Sequence, residues 1–274
     1  MIKNRLFYSV VWFLSILTLA VLLMIIGYIM YRGLTQISWE FLSEKPALMG
    51  KKGGIFPVII GTLYVTGVAL VIAAPIGIAA AVYFVEYSKE GRLVRIIRTF
   101  TEVLAGIPSI IIGLFGFAFF VVFLGFGWSV LSGGLSVSLM ILPILIRSTE
   151  EALKTVPLSY REGSLSLGAS KWETTYKIVL PCCKNGILTG LILSIGRVVG
   201  ETAVIMLTVG GALKVPMSLF DSTRTMALHM YILAAEGISQ ERAFATAALL
   251  VLIILVINGL ANIISARIGG AHGK

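Results

Sequence analysis

Apolar residues fall in long uninterrupted runs rather than in the short amphipathic periods of a soluble chain. Six runs, at about 7–31, 57–85, 101–124, 128–146, 185–209 and 243–264, each approach or exceed the roughly 20 helical residues that cross a hydrocarbon core about 30 Å thick. They predict six membrane-spanning helices. Pro108 near the start of the third run and Pro143 within the fourth are tolerable there, because neighbouring helices can satisfy the carbonyls a proline frees. Residues 223–235 are mostly apolar, but 13 residues are too few to span. Asp221, Arg224 and His229 interrupt their surroundings, so this stretch predicts an amphipathic helix lying on the outer face.

The polar segments between the runs set the orientation. With the N-terminus inside, the cytoplasmic segments hold fourteen Lys and Arg and the outer ones seven, which places both termini in the cytoplasm. Arg197 alone lies within a run. Arg92, Arg95 and Arg98, three apart, share one helical face and predict a basic surface toward anionic lipid.

Composition agrees. The 274 residues are 58% hydrophobic and 13% charged, where a soluble domain holds about 45–50% and about 25%. The net charge of +9 is spread between the runs, which suits basic cytoplasmic loops and a lipid surface rather than a nucleic acid. Cys182 and Cys183 are adjacent and make no disulfide framework; His229 and His272 lack partners at metal-ligand spacing. The first run is too long for a signal-peptide core and continues into Tyr31-Arg32-Gly33 without a cleavage site, so it predicts a retained helix. Nucleophile–base pairs and carboxylate dyads at workable spacing are lacking. So is a phosphate-binding Gly-x-x-x-x-Gly-Lys-Ser/Thr: Met49-Gly50-Lys51-Lys52 has neither the earlier Gly nor the closing Ser or Thr. Any ATP chemistry therefore belongs to another chain.

The segment 147–184 is the most informative loop. Ser159 with Glu162, after Pro157, reads as a capping box. Gly168 reads as a left-handed helix cap, and Ser170 with Glu173 as a second capping box. The second helix runs to Ile178-Val179-Leu180-Pro181, with Pro181 marking the membrane boundary. Leu165, Leu167, Ala169 and Trp172 offer apolar contact in a loop that ought to be polar, a shape suited to docking into a partner.

Glu162-Gly163-Ser164, three residues, Gly168, nine residues, then Ile178-Val179-Leu180-Pro181 resembles the EAA loop of ABC-importer permeases. It departs only at Gly163 and Ser164, where the family pattern has Ala. Gly53-Gly54-Ile55-Phe56-Pro57, Ala105-Gly106-Ile107-Pro108-Ser109 and Ile195 to Ala203 resemble the phosphate-specific branch, and within it the smaller, A-type permease subunit. The resemblance implies an all-α integral membrane protein: a type I importer bundle of six transmembrane helices in one domain over 1–274. Its core would span about 57–267, with a cytoplasmic coupling loop at about 147–184 and an extracytoplasmic loop at about 210–241. It implies that Glu162, Gly163, Ser164, Leu165, Gly168, Trp172, Ile178, Leu180 and Pro181 couple to an ATPase. The implied partners are a second permease subunit, two ATPase subunits that bind ATP and magnesium, and an extracytoplasmic phosphate-binding protein. This chain itself would carry no cofactor. The implied setting is the cytoplasmic membrane of a prokaryote.

The fifth run adds chemistry. Arg197 lies about 17 Å beyond Gly186 at helical rise, near the middle of a continuous span. Glu201 follows four residues on, and Gly190, Ser194, Arg197, Glu201 and Thr208 form a stripe of small or polar residues that ought to face a pathway or a partner helix rather than lipid. A guanidinium offers a planar fork that matches an oxyanion edge. Hydrogen phosphate carries a proton that a carboxylate accepts, whereas sulfate carries none. The stripe thus predicts phosphate passage, with Arg197 touching the cargo and Glu201 holding Arg197 or selecting. A structural ion pair to a partner permease, another oxyanion such as sulfate, molybdate or phosphonate, and a stand-alone transporter or channel are the alternatives; the last often shows two related halves, which this chain lacks.

Overall fold

The computed structural model describes the backbone of residues 2–88 and 91–270. Lys89, His272 and Lys274 lie outside the described residues, as do the side chains of Lys3, Arg5 and Arg267. Among the described residues the regular structure is helical apart from one β-ribbon of two two-residue strands. In order, α1 spans Ile2–Leu34, α2 Trp39–Ser43, β1 Pro46–Ala47, β2 Lys52–Gly53, α3 Phe56–Val82, α4 Arg92–Gly106 and α5 Ser109–Gly116. Then come α6 Val130–Lys154, α7 Leu158–Ser166, α8 Lys171–Thr174, α9 Leu180–Val199, α10 Ala203–Thr208, α11 Met226–Ala235 and α12 Gln240–Gly270. Among the described residues, five helices are long and apolar enough to cross a membrane, and one bent pair makes six if it is counted as a single broken span.

The expected third span is that bent pair. It is not the straight helix from residue 101 that the hydropathy suggests: α4 and α5 meet at 104°. Pro108 causes the break. It donates no N–H, and it holds Ile107 extended at φ −70°, ψ 130°, as residues before proline prefer. α4 begins at Arg92 and is strongly amphipathic, so Arg92, Arg95 and Arg98 do share an element. Arg98 bonds Glu150 of α6 at 3.2 Å.

α3, α6 and α9 form the centre. Lipid tails are as apolar as leucine, so burial of oily surface gives little drive between membrane helices; close van der Waals packing by small residues replaces it. α3 supplies Val65, Ala69 and Ala73, and α6 supplies Val137, Ile141 and Leu145, all fully buried in one cluster with Ile205 of α10. A Cβ on Gly190 of α9 would strike the Ser148 side chain of α6, and one on Gly77 of α3 would lie 2.9 Å from Leu145 Cβ. These glycines set the interhelical distance.

α11 does not lie on the outer face as an amphipathic helix. Met226, Ala227, Leu228, His229 and Leu233 are buried, and α11 packs on α12 and α3. A helix that is apolar on nearly every side is a buried one. Its start is fixed from α3, where Thr62 Oγ1 accepts the Met226 N–H at 2.9 Å.

Candidate functional site

Two regions carry the predicted functional residues: a break in the fifth span and the helical elbow of residues 158–174. The fifth span is helical from Lys171 to Val199 and then stops. Gly200, Glu201 and Thr202 are non-helical, and α10 restarts at Ala203. Arg197 therefore sits in the last turn of α9, not in the middle of a continuous helix. There its charge complements the carbonyl end of the helix dipole. Its side chain is exposed and makes no ion pair or hydrogen bond within the described residues.

The break also separates Arg197 from Glu201, and among the described residues the two side chains share no bond. Glu201 is buried and turns the other way: Oε1 accepts the N–H of Ala203 at 3.0 Å and of Val204 at 3.2 Å. These are N–H groups in the first turn of α10 that no helical carbonyl can reach. Glu201 is thus a cap, and a carboxylate there also meets the positive end of α10. The carbonyl end of α10 is met by Trp128 Nε1 on Leu207 O at 3.1 Å and Ser129 N–H on Thr208 O at 3.1 Å.

The predicted polar stripe divides in two. Ser194 and Thr208 are fully buried in the chain's own core, and their hydroxyls donate to the carbonyls of Gly190 and Val204 four residues back. They pack rather than line a surface. Of the predicted pathway residues, Arg197 alone presents its functional group outward. The sequence did hold a signal for the break: Gly200 is a helix stopper, and Thr202, two residues on, is of a helix-capping type.

At the elbow, α7 starts two residues earlier than the capping pattern suggests. Pro157 holds the N-cap position without a side-chain bond, which puts Ser159 inside the helix. The turn after α7 is as expected. Gly168 has φ +83°, its N–H bonds Leu165 O at 3.0 Å, and the Ala169 N–H bonds Ser164 O at 3.3 Å. This pair of bonds is a Schellman closure. Ser170 and Glu173 then form the full capping box. α8 continues through a wider turn, Thr175–Val179, into α9, and Pro181 lies in the first turn of α9. Widening the turn accommodates a residue that lacks the N–H for the regular ladder.

The elbow's apolar residues face outward. Leu167 is 90% exposed and Trp172 65%, with Leu165 and Leu158 beside them, and Trp172 stacks on Tyr176 at 6.2 Å and 7°. Glu162 and Gly163 are exposed, while Leu180 and Ile178 are half-buried. Ser164 is buried, and its hydroxyl lies 2.9 Å from Thr174 Oγ1, tying α7 to α8. Sequence reasoning missed the strongest contact here. Arg161 reaches back 75 residues to Glu86, with Nη2–Oε1 at 2.7 Å and Nε–Oε1 at 3.1 Å.

On the opposite side, Met217, Leu219 and Phe220 are exposed in the segment before α11. Asp221 accepts the N–H of Met217 at 2.7 Å and Ser218 at 3.0 Å, which holds its carboxyl below the ordinary range. Arg224 is buried, donates to Gly211 O at 3.0 Å and lies 3.5 Å from His229 Nδ1. Burial, with the neighbouring Arg224 charge, pushes His229 down to about 4.

The chain is a bundle of membrane-length apolar helices with a helical elbow between two of its spans, the architecture of a multi-pass membrane protein. Residues 73–270 match the family model described as "Binding-protein-dependent transport system inner membrane component", and the chain belongs to that family. It is 32% identical over 255 residues, 87% of each chain, to the "Probable ABC transporter permease protein YqgI" of Bacillus subtilis (strain 168). It is 34% identical over 269 residues, covering 96% of this chain and 94% of the other, to the "Phosphate transport system permease protein PstA" of Pasteurella multocida (strain Pm70). Its fold is like that of a chain of a bacterial ABC transporter for the acidic polysaccharide alginate (TM-score 0.65, 18% identity, 97% and 95% covered). It is also like a chain of the MetNI methionine ABC transporter (TM-score 0.62, 20% identity, 78% and 94% covered).

Proposed function

We propose that this chain is a membrane-spanning subunit of an ATP-driven importer of inorganic phosphate, with Arg197 touching the anion in transit. The observation that carries the cargo reading is the exposed guanidinium of Arg197 at the end of α9, which has no partner among the described residues. A bare arginine on lipid costs about 2.5–3.5 kcal/mol on insertion scales, so it faces a wet pathway or another subunit. Its fork fits a phosphate edge. The phosphate permease names of relatives that align over most of the chain support the same cargo. Glu201 serves the site indirectly, by holding α10 where the break needs it. A lone arginine contact is also weak enough to release its cargo, as transport requires.

The elbow would dock into a cytoplasmic ATPase subunit, which binds ATP and magnesium, and Leu167 and Trp172 would supply the buried contacts. A second permease would close the pathway beside Arg197. The segment 210–225 would meet an extracytoplasmic binding protein, and both termini would be cytoplasmic. The test is Arg197→Lys in the assembled importer. It keeps the charge and loses the fork, so phosphate uptake should fall at least tenfold with subunit assembly intact. Normal uptake would remove Arg197 from the pathway.

A further inference from the structure

The contact between Arg161 and Glu86 ties α7 to the end of α3 across 75 residues of sequence and takes in the end of α6. Glu86 lies in the wide turn Tyr83–Tyr87 that ends α3, and Arg161 lies in the middle of α7. The Glu86 carboxylate receives the guanidinium side-on through Nε and Nη2, with Nη2–Oε1 at 2.7 Å, Nε–Oε1 at 3.1 Å and Nε–Oε2 at 3.3 Å. The same guanidinium donates from Nη1 to Val156 O at 2.7 Å and from Nη2 to Leu153 O at 2.9 Å. Those carbonyls belong to the end of α6 and the turn that follows it; Leu153 O also accepts the Val156 N–H at 3.3 Å, and its regular helical donor position is Pro157, which has no N–H. One side chain therefore binds α3, α6 and α7 together. Both partners are shielded, at 16% and 7% side-chain exposure. The other ion pairs of the cytoplasmic side are more open: Arg147–Glu151 and Lys177–Glu173 have both partners well exposed. Exposed pairs like these contribute little, whereas a buried, fully bonded pair is costly to break.

The geometry places this joint on the route between the elbow and the pathway. α7, its closing turn and α8 carry the exposed apolar residues Leu158, Leu165, Leu167 and Trp172. α3 and α6 carry the core that packs on α9 and α10, on either side of the break that holds Arg197. Otherwise α7 is tied mainly to the neighbouring elbow helix, through Ser164 and Thr174. We propose that Arg161 and Glu86 form a fixed joint through which displacement of α7 moves the cytoplasmic ends of α3 and α6, so that Arg161 is a positioning residue of the coupling step. The proposal rests on the reading of the elbow as the ATPase dock. Planarity explains why arginine is needed: four donors must point at a carboxylate and two carbonyls at once, which an ammonium on a flexible stem cannot do.

The experiment uses the whole importer in liposomes, measuring phosphate accumulated per ATP hydrolysed and the ATPase subunit that co-purifies. Glu86→Gln and Arg161→Lys should keep the ATPase bound while phosphate per ATP falls at least fivefold. A wild-type ratio in both variants, or a loss of ATPase binding that accounts for the whole defect, would overturn the joint. Leu167→Asp tests the dock separately: it should release the ATPase, and full retention would sink the docking reading whatever the joint does. A covalent rescue guards against misfolded variants. In a Cys182→Ser, Cys183→Ala background, Glu86→Cys with Arg161→Cys is bridged by a short bis-thiol reagent. Bridging should restore uptake, because a fixed joint tolerates a covalent link. Uptake that stays low after complete bridging would contradict the proposal.

Discussion

The elbow isolates the energetic cost of a single backbone angle. Gly168 closes α7 at φ +83°, and a Cβ placed there would meet nothing within 4 Å. Gly168→Ala thus adds no clash; its whole effect is the left-handed backbone, which costs an L-residue about 1–2 kcal/mol. Strain of that size lowers the closed-to-open ratio of the turn by a factor of about 5–30. The turn positions the Ser170–Glu173 capping box and the Ser164–Thr174 bond, so opening it lets α7 swing away from α8. Gly163 is the internal control. It is equally open, but it lies inside α7, where Gly163→Ala removes a helix penalty of about 0.5–1 kcal/mol and should stabilise. The assay is co-purification of the ATPase subunit with this permease from detergent, with thermal unfolding of the complex alongside. Gly168→Ala should lose most of the bound ATPase, and Gly163→Ala should keep or gain it. Equal retention in the two variants would refute the argument that the turn, rather than the exposed side chains alone, presents the docking face.

Two further outcomes follow from buried polar groups. His229 is held neutral, with its proton affinity at about 4 against 6.5 in an unfolded chain. Stability is therefore full above pH 6.5, falls as the unfolded state gains its proton, and levels off below about pH 4, a total of about 3 kcal/mol; thermal unfolding across that range should flatten in His229→Gln. Glu201 acts as an acceptor for two N–H groups, so Glu201→Gln should preserve uptake to within a few fold while Glu201→Ala reduces it tenfold or more. Labelled-phosphate uptake reads both, and a null Glu201→Gln would instead mean that the carboxylate meets the cargo's proton.

Much of this architecture is legible in the chain, because crossing a membrane demands runs of fixed length and leaves few alternatives. The Gly168 closure and the Ser170 box are equally visible, since each rests on local chemistry within four residues. The misses share a physical cause. Hydropathy averages over a window, so it merges α4 with α5 and α9 with α10, although Pro108 and Gly200 end helices inside apolar stretches. It also makes Arg197 and Glu201 look like neighbours on one turn, when the break sends one outward and the other into a cap. Ser194 and Thr208 are polar, yet a hydroxyl in a membrane helix can satisfy itself on its own backbone and remain in the core. The Arg161–Glu86 joint is long-range, with no period or spacing to announce it. α11 was misjudged because its flanking charges suggest a surface, while Arg224 and His229 are themselves buried.

The central claim is that phosphate crosses beside Arg197 in an ATP-driven complex. The most direct measurement is uptake of labelled phosphate by the assembled importer, for wild type and Arg197→Gln at matched membrane levels, with and without excess unlabelled sulfate. The account predicts ATP-dependent uptake by the wild type, loss in Arg197→Gln with assembly intact, and no competition from sulfate. Equal competition by sulfate, or full uptake in Arg197→Gln, would contradict it.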